Sequence, residues 1–200
     1  FLILSQLELL IKDSISPDGI RLVTLQLRYP KFIHGELMTH RVFSRNASSS
    51  RAIPAAKLIA EVREESSRAT FVEWGKNETG MSANKFLNKQ EEEKAKELWM
   101  RAAQHAAFIA EEMIAIGVHK QIVNRVLEPF SHINVIVSAT DWANFFTLRL
   151  DKAAQPEMRV LAVAMKKAME NSTPYIVDNN SWHLPFVDYH DVDRPLEDLI

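Results

Sequence analysis

The chain has 200 residues, 46% of them hydrophobic and 25% charged, with a formal net charge of −2 and no cysteine. That length is enough to bury a core, and the near-neutral balance excludes a whole-protein field that would draw polynucleotide or an anionic membrane. The missing cysteines exclude disulfides, thiolate metal sites and a cysteine nucleophile.

No stretch approaches the roughly 20 apolar residues that span a bilayer. The opening FLILSQLELLIKDSI, which starts without Met, has neither a basic leader nor a small-residue cleavage site. The expectation is a soluble protein of the reducing cytoplasm.

Residues 7–15 and 20–29 read as strands around the turn Ser16-Pro17-Asp18-Gly19. In the second, Val23, Leu25, Leu27 and Tyr29 alternate with Thr24, Gln26 and Arg28, so one face is buried and the other wetter. Pro30 ends it, and a helix is predicted over about 33–41. Residues 42–54 are rich in Ser, Arg and Asn, and 54–66 read as a helix with Leu58, Ile59 and Val62 on one face. Residues 67–87 form a long loop, a length usually reserved for function or an interface.

A long helix is predicted over 89–116, with Leu98, Trp99, Ala102, Ala106, Ile109, Ala110 and Met113 at helical spacing and Gly117 closing it. Its alanines invite close packing against another helix, in the same subunit or a second one. A short helix over 119–128 ends at Pro129, a strand runs over 132–138, and a last helix over 155–170 carries Met158, Leu161, Ala162, Met165 and Met169 inward. Residues 172–200 form an extended tail. With no internal repeat or linker, residues 1–200 read as a single α+β domain with a small, mainly antiparallel sheet packed by long helices.

The chemistry concentrates in THRVFSRNASSSR, residues 39–51. Arg41, Arg45 and Arg51 offer planar forks of donors suited to phosphate, and Ser44, Ser48, Ser49 and Ser50 add neutral donors. By composition alone the segment is either a nucleotide-phosphate site or a solvated basic loop.

Order and spacing add more. The segment resembles the signature of the flavin-dependent thymidylate synthases, R-H-R-x-x-S-x-N-E-x-S-x-R-Y, with His40, Arg41, Ser44, Asn46, Ser49 and Arg51 in ungapped register. Residues 144–157, NFFTLRLDKAAQPE, are similar to the family's N-F-L-x-L-R-x-x-x-x-A-Q-x-E through Asn144, Phe145, Leu148, Arg149, Ala154, Gln155 and Glu157. More weakly, Arg125, Leu127 and Pro129 resemble the A-R-x-x-L-P region.

The resemblance implies FAD as cofactor, with NADPH oxidised and a one-carbon unit moved from methylenetetrahydrofolate to C5 of dUMP to give dTMP. It implies a homotetramer with active sites shared between subunits. Ser48, Ser49, Ser50, Arg51 and Arg125 would bind the nucleotide with Glu36, and Arg149 would contact the pyrimidine and favour its ionisation. Thr39, His40, Arg41, Asn46, Asn144 and the backbone of Ser138, Ala139 and Thr140 would hold FAD. No metal is implied.

The residue chemistry agrees. Without cysteine, activation of the pyrimidine by thiolate addition is closed, and a fixed cation is the alternative. Hydride and one-carbon transfer need cofactors that no side chain replaces.

Four positions depart from the pattern: Thr39 for its first Arg, Glu36 for a Gln, Ala47 for its Glu and Ala52 for its Tyr. A carboxylate at position 36 needs a cation, for which Arg41 or Arg45 is the expected partner, and Arg45 is a candidate to replace the lost Arg. Three readings stay open: thymidylate synthesis, a pyrimidine nucleotide hydroxymethylase or dCMP-directed relative, and a non-catalytic nucleotide- or flavin-binding homologue.

Elsewhere the plainer readings compete. His119 and Lys120 either border the nucleotide site or cap a helix, and His105 reads as a packing residue. Asp188, His190, Asp191 and Asp193 match no metal-ligand spacing. Trp182-His183-Leu184-Pro185-Phe186 reads as a docked surface segment, and Trp74 as a lone loop aromatic.

Overall fold

The computed structural model describes residues 9–178 and 181–187. Strands β1 (Leu9–Ile15) and β2 (Arg21–Pro30) form the expected antiparallel hairpin. At its turn Gly19 adopts φ +80 and donates its amide to the Ser16 carbonyl at 2.9 Å. That left-handed conformation has no steric cost without a Cβ. Strand β4 (His132–Ala139) pairs antiparallel along the free edge of β2, and β3 (Ser44–Ala47) pairs antiparallel outside β4. Strand β5 (Tyr175–Ile176) adds in parallel to β1, completing the order β3-β4-β2-β1-β5.

One core lies on a single face of this sheet. Val23, Leu25, Leu27 and Tyr29 of β2, with Ile133, Val135 and Val137 of β4, meet Phe145 of helix α5 (Ala143–Arg149) and the predicted inner stripe of α6 (Pro156–Glu170). The alternation along β2 settles which face this is. A second core joins α2 (Ala55–Arg63), α3 (Lys89–Ala115) and α4 (Lys120–Leu127). Together they make the mixed α+β fold with a small, mainly antiparallel sheet.

Several boundaries and faces differ from expectation. The helix expected over 33–41 is a single 3-10 turn at Lys31–Ile33 followed by α1 (His34–Met38). At its C-terminal end the carbonyls of Leu37 and His40 each accept from the Arg45 guanidinium at 3.1 Å. Helix α3 buries Ala103, Ala106, Ala107 and Ala110, whereas Leu98 is 52% exposed and Ala102 faces outward. Alanine lets α2 and α4 approach closely, which a Leu on that seam would prevent. His105 is exposed on α3, stacked near Phe108, and is not a packing residue.

Residues 67–87 are irregular yet anchored. The Val72 amide donates to the buried Glu157 carboxylate at 2.6 Å, and Trp99 Nε1 donates to the Ala69 carbonyl at 2.9 Å. Phe71 packs on Phe32, Trp74 and Trp99, so Trp74 sits within an aromatic cluster. In the tail, His183 lies between Ser14 Oγ (2.7 Å) and Thr24 Oγ1 (2.8 Å) on the wetter face of the sheet. Trp182 and Phe186 beside it stay mostly exposed. Asp188, His190, Asp191 and Asp193 lie outside the described residues. Among the described residues, no helix is long and apolar enough to cross a membrane and no cluster of His, Asp or Glu could hold a metal ion.

Candidate functional site

The Ser, Arg and Asn segment is not a loop throughout. Residues 44–47 are the edge strand β3, and Ser48 extends its pairing by donating its amide to the Asn134 carbonyl (2.8 Å) and accepting from the Asn134 amide through Oγ (3.2 Å). An edge strand needs only backbone pairing on one side, so polar side chains are tolerated there. The strand divides the motif into two clusters of different character.

The first gathers α1, residues 39–45 and the end of α5. Arg149 donates Nε to His40 Nε2 (2.9 Å), one terminal nitrogen to the Glu36 carboxylate (2.8 Å), and the other to the Glu36 carbonyl (3.2 Å) and Thr39 Oγ1 (3.1 Å). Four of its five N–H groups are thereby occupied within the chain. The partner of Glu36 is therefore Arg149, not Arg41 or Arg45. Arg45 donates one terminal nitrogen to the Leu37 and His40 carbonyls and so caps α1.

His40 is buried, edge-on to Phe145 and stacked on Phe43. Burial, then the charges of Arg149 and Arg45, holds its pKa below the ordinary histidine value. Because Nε2 accepts from an arginine, the ring is neutral, with any proton on Nδ1.

The second cluster is built by residues 48–53 against α4. Ser50 is buried and donates Oγ to Glu128 Oε1 (2.7 Å), an oxygen that also receives Lys31 Nζ (2.5 Å) and Arg125 (2.8 Å). The Glu128 carboxyl is partly buried, yet the bonds from Lys31 and Ser50 and the charges of Lys31 and Arg125 outweigh that burial and hold its pKa below the usual range. Asn124, fully buried, donates Nδ2 to the carbonyls of Ser50 (2.7 Å) and Ile53 (3.0 Å). Lys120 Nζ reaches the Ala52 carbonyl at 3.0 Å, so Lys120 does border this segment. His119 caps α4 by accepting from the Gln121 amide.

Ser49 and Arg51 are exposed, as is Arg41 at the far end of β3. Among the described residues, Arg41 and Arg51 form no hydrogen bond or ion pair. Asn46 and Ser44 lie on the face of the sheet that carries Ser138, whose Oγ bonds Thr24 Oγ1 at 2.7 Å. Thr140 and Asn144 are exposed just beyond β4 and at the start of α5, while Ala139 is buried. The structure thus unites Glu36, Thr39, His40 and Arg149 in one group and residues 48–51 with Arg125 in another. Asn124, Lys31 and Glu128 were not foreseen. The available signal was an Asn on the stripe of α4 that otherwise buries Val123 and Leu127.

A family profile described as thymidylate synthase complementing protein matches residues 20–175. No curated protein sequence matches the chain. Among solved structures, it is similar to a UMP/dUMP methylase PolB from Streptomyces cacaoi bound with 5-Br UMP, with TM-score 0.63 and 16% identity over 80% of this chain and 86% of that one. A second structure of that methylase, bound with 5-Br dUMP, aligns with TM-score 0.58 and 21% identity over 74% of this chain and 66% of that one. At such identities these neighbours establish the fold alone. The profile spans more than half of the chain, and the protein belongs to the thymidylate synthase complementing protein family.

Proposed function

We propose that the protein transfers a one-carbon unit from methylenetetrahydrofolate to C5 of dUMP, using FAD and NADPH, to give dTMP. The observation that carries this reading is the pair Arg41 and Arg51, exposed cations at either end of β3 without a partner among the described residues. Unpaired guanidiniums at the two ends of an exposed edge strand suit two anions, a nucleotide phosphate and a dinucleotide pyrophosphate. In this scheme Ser48, Ser49 and Ser50 shape the nucleotide end with Arg51 and Arg125. Ser48 and Ser50 act from beneath, since their hydroxyls are engaged by Asn134 and Glu128.

The donor set fits FAD. Arg41 supplies a cation, Asn46 and Asn144 exposed amides, and Thr140 an exposed hydroxyl beside the Ser138–Ala139 backbone, without a Gly-rich fingerprint. Thr39 and the neutral His40 set the wall behind Arg41. Bound FAD would supply the hydride chemistry. The chain's own task is to hold the pyrimidine and stabilise negative charge on its ring, which Arg149 does through its remaining N–H.

Glu36 favours a second reading. An acceptor at Glu36 matches the amino group of a cytosine, with the adjacent Arg149 guanidinium as donor to its N3, better than it matches the O4 carbonyl of a uracil. A dCMP-directed enzyme is the alternative that this pair supports. A binding-only homologue remains as the outcome in which nucleotide binds without turnover.

Shared active sites in a homotetramer accompany the proposal, supported by Leu98, Met100 and Phe108 exposed along α3. The cytoplasm is the proposed compartment. The deciding experiment incubates the purified protein with methylenetetrahydrofolate, NADPH and FAD, and identifies the product from dUMP and, separately, from dCMP. A methylated uracil nucleotide supports the first reading, and a modified cytosine nucleotide replaces it with the second. A protein that shows no flavin absorbance, does not bind added FAD and consumes no NADPH removes both.

A further inference from the structure

We infer that Asn124 is a positioning residue that shapes residues 49–53 into a phosphate cradle, a role that rests on the nucleotide reading above. The case begins with peptide geometry. In a trans peptide the carbonyl of one residue and the amide of the next point to opposite sides, and the described chain has no cis peptide. Asn124 Nδ2 draws in the carbonyls of Ser50 and Ile53, and Lys120 Nζ draws in that of Ala52. The Ser49 carbonyl accepts from the Ala52 amide at 3.0 Å.

Every carbonyl from Ser49 to Ile53 except that of Arg51 is thus held by a donor within the chain. The Arg51 amide, opposite the Ser50 carbonyl, must point away from the buried Asn124 side chain. Among the described residues the amides of Ser49, Ser50 and Arg51 have no acceptor. Two carbonyls held by the buried Asn124 and amides left unoccupied, next to the unpaired Arg51, present a run of backbone donors of the kind that binds phosphate oxygens.

Asn124 is an odd occupant of its position. It is fully buried, and its Oδ1 has no hydrogen-bond partner. A buried amide with an unpaired oxygen is unfavourable where an alanine would not be. The opposite amide orientation would press that oxygen against two carbonyls, so the Nδ2-inward arrangement is the one the site permits. What the side chain delivers is the two bonds that bracket Arg51.

The test compares ligands that differ only in the phosphate. Affinities of dUMP and deoxyuridine are measured by calorimetry for the wild type and for Asn124→Ala. Wild type should bind dUMP far more tightly than deoxyuridine; equal affinities would remove the phosphate reading itself, whatever Asn124 does. Given that preference, Asn124→Ala should weaken dUMP about tenfold, as expected for a distorted set of charged hydrogen bonds, and leave deoxyuridine within about twofold.

Equal losses for both ligands would make Asn124 a packing residue and overturn the inference, as would no loss for either. Amide resonances of the wild type give an answer that does not depend on the variant folding. Those of Ser50 and Arg51 should shift with dUMP and with inorganic phosphate but not with deoxyuridine. Resonances that stay in place with dUMP would overturn the cradle.

Discussion

The two ends of the motif, residues 36–45 and 48–53, hold similar polar groups and use them in opposite ways. At the first end the chain satisfies itself apart from Arg41: Arg149 gives four N–H groups to Glu36, Thr39 and His40, and Arg45 gives one terminal nitrogen to two carbonyls. At the second end the chain satisfies its acceptors through Asn124 and Lys120 and leaves Arg51 without a partner among the described residues. A ligand reaching Arg51 at the second end meets a cation with no partner to displace among the described residues. One entering the first must fit beside an existing ion pair or open it, so selectivity should reside there and affinity at the second.

The largest test of this contrast is Arg149→Ala. Loss of a preorganised cation should lower one-carbon transfer by at least about 100-fold, with flavin absorbance of the purified protein unchanged. Loss of flavin along with activity would make Arg149 a tie between α5 and α1 in place of a substrate contact. Next is Arg51→Ala, which should weaken dUMP binding about 10- to 100-fold, the equivalent of roughly 1.5–3 kcal/mol for hydrogen bonds to a charged group. The loss should shrink as salt is raised, because the interaction is exposed. An unchanged affinity would place the phosphate elsewhere.

Glu36→Gln sharpens the comparison, since it removes the charge that neutralises Arg149 and adds a donor. Relative turnover of dUMP over dCMP should rise about tenfold, the scale of one acceptor replaced by a donor at a base edge. A ratio that does not move would show that Glu36 only orients Arg149.

The uneven legibility of these regions in the sequence has a physical basis. The periodic segments β2 and α6 were readable because their burial follows one repeat, and the stripe of α6 emerged residue for residue. The short edge strand β3 was not, because its residues pair through backbone with β4 and composition carries no sign of that. The seam of α3 rotated toward its alanines because close packing with α2 and α4, not side-chain hydrophobicity, selects the buried face. Glu36 was assigned a local cation, whereas its partner is Arg149, 113 residues away. Separations of that kind are set by the packing of α5 against α1, which no local pattern encodes.

The smallest effect expected is in acid stability, and it concerns the self-satisfied end. His40 is depressed below its ordinary value first by burial and then by Arg149 and Arg45, so its neutral form is bound in the fold. The unfolded chain takes up a proton near pH 6.5 and the folded chain only at lower pH. Stability from this group is thus fully present above about pH 6.5 and is lost as pH falls through the folded value. Protonation would also place a hydrogen on Nε2 where Arg149 now donates, opening the first cluster while leaving the second intact. Urea unfolding should therefore show a smaller loss of stability between neutral pH and about pH 5 in His40→Gln than in the wild type. A variant with the same slope would mean that His40 titrates as freely in the folded chain as in the unfolded one, and that the first end is less tightly closed than its geometry indicates.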